Sequence, residues 1–145
     1  DMQAALGLSQ LKRLEQFKQR RLEIIAAYHE GFKDLAAKGL MILPDRSNES
    51  DICFHLFVVR IDFDAMGTGR ADVMSRLREQ QIGTQVHYIP VHLQPYYRQQ
   101  FGYKAADFPQ AEAYYEQALS LPLYPAMSDA DVSRVIEAVL EKKEC

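Results

Sequence analysis

CFHLFVVRI, residues 53–61, is the stretch that decides the fold class. Phe54, Phe57, Val58, Val59 and Ile61 are aromatic or β-branched, and no glycine or proline interrupts them. Such residues suit a pleated, half-buried surface, so the stretch predicts a strand. Alternation puts Phe54, Leu56, Val58 and Arg60 on one face and His55, Phe57, Val59 and Ile61 on the other. A strand needs partners, and three segments offer them. Residues 40–43 (LMIL) are closed by Pro44, and residues 84–89 (TQVHYI) form a second candidate. Residues 121–125 (LPLYP) must be extended, because each proline pushes its predecessor out of the α region.

Helical patterns surround these strands. Residues 2–37 read as one long helix: Leu8, Leu11, Leu14 and Phe17 recur at helical spacing, and Leu22, Ile25, Tyr28, Phe32 and Leu35 extend the stripe. Lys12, Arg13, Glu15, Lys18, Arg20 and Arg21 form the opposite face. Gly39 suits the left-handed position that ends a helix. Further helices are expected over 70–81, with Val73, Met74 and Leu77 inward and Gly83 as its cap, and over 95–100, 109–119 and 129–141. Pro95 fits a first helical turn, and Ser128 with Asp131 three residues on fits a capping-box variant. The order predicts an α+β fold, a small sheet covered by helices on one side, with a long N-terminal helix. The first residues of that helix, MQAALGLS (2–9), are small and apolar almost all round. Such a helix is covered by something, either the domain's own core or a partner domain or subunit.

Composition bounds the function. The chain has 145 residues, 48% hydrophobic and 26% charged, with 17 Lys+Arg against 20 Asp+Glu. These are the values of one ordinary globular domain. A net charge of −3 gives no reason to expect nucleic acid, whose phosphates call for clustered positive charge. No apolar run approaches the roughly 20 residues of a membrane span, and no signal peptide is expected. Two cysteines, Cys53 and Cys145, make no disulfide framework, which suits a reducing, cytoplasmic setting. Cys53 is expected to be a small buried hydrophobe. The polar run 45–51 (DRSNESD) is expected to be a loop.

Reactive side chains concentrate in QVHYIPVHLQPYY, residues 85–97. His87, Tyr88, His92, Tyr96 and Tyr97 lie at the end of a candidate strand and in the loop after it, where binding groups gather. Imidazole and phenol tips can donate to phosphate or sugar oxygens while their rings cover apolar faces. The alternative is that the aromatics pack and the histidines satisfy loop hydrogen bonds. A metal site is disfavoured, because His87 and His92 are separated by a proline and no HExxH or Cys/His quartet accompanies them. Arg60, at a strand end, can bind a carboxylate or phosphate bidentately, or pair with Asp62 or Asp64. Tyr114 and Tyr115 are expected in the core with Leu119. Gly67-Thr68-Gly69 matches neither the phosphate-cradling nor the dinucleotide glycine pattern.

Four stretches, in order, resemble the DegT/StrS family of sugar aminotransferases: DMQAALGLSQL (1–11), GTQVHYIPVH (83–92), PYY (95–97), and FPQAE (108–112) followed by LSLPLYP (119–125). The resemblance covers nearly the whole chain. It implies the fold of the C-terminal small domain of fold-type I, pyridoxal-phosphate-dependent transferases. It implies an activity as well: transfer of an amino group, usually from glutamate, to a nucleotide-linked keto-sugar, by a homodimer. The loop wording is similar to that of members making 4-amino-4,6-dideoxy sugars for surface glycans. By this resemblance His87, Tyr88 and His92 contact the sugar nucleotide, Tyr96 and Tyr97 line the same mouth, and Arg60 meets the donor's carboxylate. The Schiff-base lysine of the family lies upstream of the helix that starts at Met2, and none of the seven lysines here has an equivalent context. Asp1 at the head of a familiar helix therefore reads as a cut, with the large cofactor-binding domain expected upstream and this piece inactive alone. Two non-catalytic readings compete: an interaction module using the helix near Gly7, and a sugar-nucleotide sensor keeping only the His/Tyr loop.

Overall fold

A computed structural model describes residues 1–49 and 52–141. Ser50, Asp51 and Cys145, which belong to the sequence expectations above, lie outside the described residues. The elements are α1 (Met2–Leu11), α2 (Leu14–Ala37), β1 (Met41–Ile42), β2 (Phe57–Ile61), α3 (Arg70–Glu79), a short 3₁₀ turn (Val91–Leu93), α4 (Pro95–Phe101), α5 (Pro109–Gln117), β3 (Ala118–Leu121) and α6 (Asp129–Leu140). The fold is α+β, as the element pattern requires.

β2 is the middle strand of an antiparallel sheet ordered β1-β2-β3. Met41 pairs with Ile61 on one side, and Phe57 with Leu121 and Val59 with Leu119 on the other. Alternation then divides the faces. Phe57, Val59, Ile61, Leu119, Leu121 and Met41 are buried against the helices, joined by Ile24, Ile25, Tyr28 and Phe32 of α2, Leu77 of α3 and Val135 and Val139 of α6. Tyr28 is wholly buried, with its ring 4.9 Å from that of Phe57, and its hydroxyl donates to the Pro122 carbonyl at 2.8 Å. Burial pushes the ionisation of that phenol well above the ordinary tyrosine value, so it remains a donor.

The strand is shorter than the nine residues its sequence suggests. The pairing with β3 begins only at Phe57, opposite Leu121, so residues 52–56 have no strand partner among the described residues. Cys53 and His55 are consequently exposed, and the expectation of a buried Cys53 is corrected. Residues 84–89 do not form a full strand either. A single bridge, Gln85 to Ser120, holds them along the outer edge of β3, while Tyr88 and Ile89 are exposed. The expected helix over 109–119 stops at Gln117, because Ala118 turns extended (ψ 132°) and its successors enter the sheet. Tyr114 is therefore exposed and Tyr115 half-buried instead of core.

The expected single N-terminal helix is two. The N–H of Arg13 reaches the Gln10 carbonyl at 2.9 Å, a tightened turn between α1 and α2 with no proline or glycine in it. Its place coincides with the edge of the core: α1 has no buried residue, whereas α2 carries four. Packing of 2–9 on the domain's own core is thereby excluded, with Met2 90% and Leu6 63% exposed. Elsewhere the capping signals hold. Gly39 takes a left-handed φ of 71°, Pro95 sits in the first turn of α4, and Ser128 Oγ accepts the Asp131 N–H while Asp131 receives the Ser128 N–H. At the end of α3 the left-handed residue is Gln81 (φ 60°), not Gly83.

One glycine has a packing reason. Gly31 of α2 faces α6, and a Cβ there would meet Cδ1 and Cγ2 of Ile136 at 2.7 Å. Isoleucine is stiff at χ1 and yields poorly. The overpacking cost, roughly 1–3 kcal/mol, outweighs the helix-propensity gain of about 1 kcal/mol that alanine brings. Gly31→Ala is thus expected to lower stability in urea melts, and Ile136→Ala to cost less in the Gly31→Ala background than alone. Strict additivity between the two changes would show that the contact does not limit packing.

Candidate functional site

The second face of the sheet carries Ile42, Val58, Arg60, Ala118 and Ser120, set by the same alternation that buries Phe57 and Val59. Of these, Ser120 is polar and only 5% exposed. Its backbone faces the outer edge of β3: its N–H donates to the Gln85 carbonyl at 2.8 Å and its carbonyl accepts from the Gln85 N–H at 3.2 Å. Its side chain reaches His87, with Oγ 2.7 Å from Nδ1. The His87–Tyr88 peptide is cis, and the two rings meet edge-on at 4.7 Å. His87 is half-buried, and Tyr88 is 73% exposed.

His92 occupies a different environment. It lies in the 3₁₀ turn, 6% exposed, with Nε2 2.9 Å from Oε1 of Glu112 and its ring 4.7 Å from that of Phe108. Glu112, in the first turn of α5, also accepts the Ala106 N–H through both carboxylate oxygens, at 2.8 and 3.0 Å. Ala106 holds a left-handed φ of 74°, a conformation that L residues keep only when neighbours fix it. The Ala106 N–H first, and then His92, hold the Glu112 carboxyl below the usual carboxylate range. One carboxylate therefore joins three segments: the turn after the His/Tyr loop, the connection before α5, and α5 itself.

Around this joint the aromatics form a wall. Tyr97 stacks on Phe101, Phe101 on Tyr103, and Tyr103 meets Phe108 edge-on. Together with Val91 and His92 they line a cleft of about 450 Å³. Tyr96, 63% exposed, touches Tyr97 edge-on at 5.3 Å but stands outside that cleft. Arg60 is apart from both histidines. Its guanidinium donates to Gln117 Oε1 at 3.1 and 2.7 Å and lies 6.0 Å from the Tyr114 ring centroid, in place of any pairing with Asp62 or Asp64.

The six sequence-picked residues thus fall into three places: His87 with Tyr88 at the β3 edge, His92 with Tyr97 and Tyr96 around the aromatic wall, and Arg60 on the sheet face. Ser120, Glu112 and Gln117, which hold them there, carry no signal of their own in the sequence. Each contact joins residues between 20 and 57 positions apart. Among the described residues no group of His, Cys, Asp and Glu is arranged to hold a metal ion. Lys12, Lys33, Lys38 and Lys104 are exposed, Lys33 beside Glu30, and Lys18 is half-buried on α2. None of these lysines is among the residues that line the cleft.

Because the Glu112 carboxyl is held below the usual range, its contribution to stability is whole above that range and fades as pH falls through the lowered value. Glu112→Ala should be less stable than the parent at neutral pH, and the two melting curves should converge in acid. A stability difference that persists unchanged at the acid end would place the effect in lost packing instead of the carboxylate.

The sequence profile of the DegT/DnrJ/EryC1/StrS aminotransferase family matches residues 1–140. The chain is 49% identical over 140 residues to the spore coat polysaccharide biosynthesis protein SpsC of Bacillus subtilis (strain 168), covering 96% of the chain and 35% of SpsC. Its fold superposes on S. venezuelae DesV with a TM-score of 0.80 at 34% identity, over 95% of the chain and 35% of DesV. It likewise superposes on the PLP form of Spr1654 from Streptococcus pneumoniae, with a TM-score of 0.80 at 29% identity, over 94% of the chain and 33% of that protein. The chain spans about a third of the length of these relatives. With its sequence matched nearly end to end and its fold superposed throughout, the chain belongs to the DegT/DnrJ/EryC1/StrS aminotransferase family.

Proposed function

We propose that this chain is the C-terminal small domain of a pyridoxal-phosphate-dependent aminotransferase, which moves an amino group from glutamate to a nucleotide-linked keto-sugar in amino-sugar synthesis for surface polysaccharide. The observation that carries the reading is the His87–Tyr88 tip, a half-buried imidazole and an exposed phenol held at a strand edge by a buried serine. Family membership supports the amino-transfer chemistry, and the polysaccharide role of SpsC supports the product class. The PLP form of Spr1654 supports the cofactor.

Pyridoxal phosphate, when bound, supplies the electron sink for amino transfer. In this proposal the large domain holds it, within a homodimer, and the enzyme works in the cytoplasm. The residues of this chain supply recognition. His87 donates from its outer ring nitrogen to an oxygen of the diphosphate or sugar, and Tyr88 presents a phenol beside it. Tyr97 at the aromatic wall, and the more exposed Tyr96 beside it, offer flat rings whose hydroxyls suit sugar hydroxyls. His92, with Nε2 engaged by Glu112, acts on the substrate through the shape of the loop it anchors. Arg60 is drawn toward the donor's carboxylate only if it exchanges Gln117 for it, a trade that favours the charged partner.

The reading is tested in the full-length enzyme with His87→Ala. Loss of one donor to an anionic oxygen is expected to raise the KM for the keto-sugar about tenfold or more. If KM and kcat both stay within about twofold, the loop is structural and the assignment is wrong.

A further inference from the structure

His87 has two ring nitrogens, and the structure distinguishes them. Nδ1 faces Ser120 Oγ at 2.7 Å, whereas Nε2 has no partner among the described residues and is not one of the buried unpaired atoms. Which nitrogen carries the proton depends on the hydroxyl. Ser120 is 5% exposed and stands in β3 between Leu119 and Leu121, both buried. Its backbone N–H and carbonyl are already spent on Gln85, and among the described residues its hydroxyl has no partner other than His87. A buried O–H without an acceptor carries the full desolvation penalty of the group. If Nδ1 bore the proton, it would donate to Oγ and leave the serine hydrogen in that position. The satisfied arrangement is the reverse one, with the hydroxyl donating to a bare Nδ1.

We propose that Ser120 is a positioning residue: by donating to Nδ1 it holds His87 as the Nε2–H tautomer and aims that N–H outward as a hydrogen-bond donor for a phosphate or sugar oxygen of the substrate. The ring orientation has two further supports. The Gln85–Ser120 backbone pair sets the distance between β3 and the His87 segment, and the Tyr88 ring meets the imidazole edge-on at 86°. A neutral donor of fixed direction discriminates by geometry, where a mobile cation attracts any anion. The substrate half of this inference rests on the functional reading above; the tautomer half does not.

The two halves are tested separately. The protein is labelled with ¹⁵N-histidine, His87 is assigned through His87→Gln, and the ring nitrogens are read by NMR at a pH where the ring is neutral. The wild type is expected to show a protonated Nε2 and a bare Nδ1. Ser120→Ala is expected to lose that preference and give both tautomers, while Ser120→Thr, which keeps the hydroxyl, restores it. A protonated Nδ1 in the neutral wild type overturns the proposal without any variant. So does an unchanged tautomer in Ser120→Ala. For the substrate half, Ser120→Ala should raise the keto-sugar KM several-fold, up to about tenfold, and Ser120→Thr should recover most of it, with kcat far less affected. If Ser120 sets the tautomer yet His87→Ala leaves KM unchanged, the functional reading falls and the Ser120–His87 contact stands.

Discussion

The structure depends on the pairing of β3 with β2. Four residues, Ala118–Leu121, serve two masters through alternation alone. Leu119 and Leu121 complete the apolar layer opposite Val59 and Phe57, and Ser120, pointing the other way, fixes the segment that carries His87. Burial of the leucines holds the strand in register, and a one-residue slip would exchange the faces and place the serine in the core. The strand ends at Leu121, with Pro122 directly after it. Core and candidate site are therefore not separate assemblies; the same register defines both.

A second joint, Glu112, fixes what β3 does not reach. The excursion from Ile89 to Phe108, which includes the 3₁₀ turn and α4, is largely exposed and rich in aromatics. A carboxylate that holds a buried histidine and a left-handed backbone N–H at once ties both ends of the excursion to α5. The division of labour is plain: His87 and Tyr88 are presented, while His92 and Glu112 hold the frame.

Sequence patterns placed the helices and the central strand, though not all of their ends, because their signals are local. The stripe from Leu22 to Leu35 and the caps at Gly39, Pro95 and Ser128 need only near neighbours. What was not legible depended on distant partners. The length of β2 is set by where its pairing with β3 ends, opposite Leu121 some sixty positions later, and residues 84–89 look like a strand but find a single bridge. Tyr114 and Tyr115 fit an apolar helical face, yet the sheet takes Ala118 onward and leaves Tyr114 in solvent. The His/Tyr loop was visible by composition, whereas the contacts that orient it, Ser120 and Glu112, became visible only in three dimensions. The family resemblance touched both residues as parts of its closing signature without giving either a task.

α1 shows the reverse case. Its residues are small and apolar and its environment is solvent, with Leu8 and Leu11 both more than half exposed. The chain spans about a third of its relatives' length, and under the proposed reading this helix and the His/Tyr loop both face the remainder of the enzyme. The most direct measurement of that reading is amide hydrogen exchange on the full-length enzyme with and without a nucleotide-linked keto-sugar. If the loop at the β3 edge seats the substrate, amides of residues 85–93 slow on binding while the core of α6 is unchanged. Protection elsewhere, with no change across residues 85–93, would contradict it.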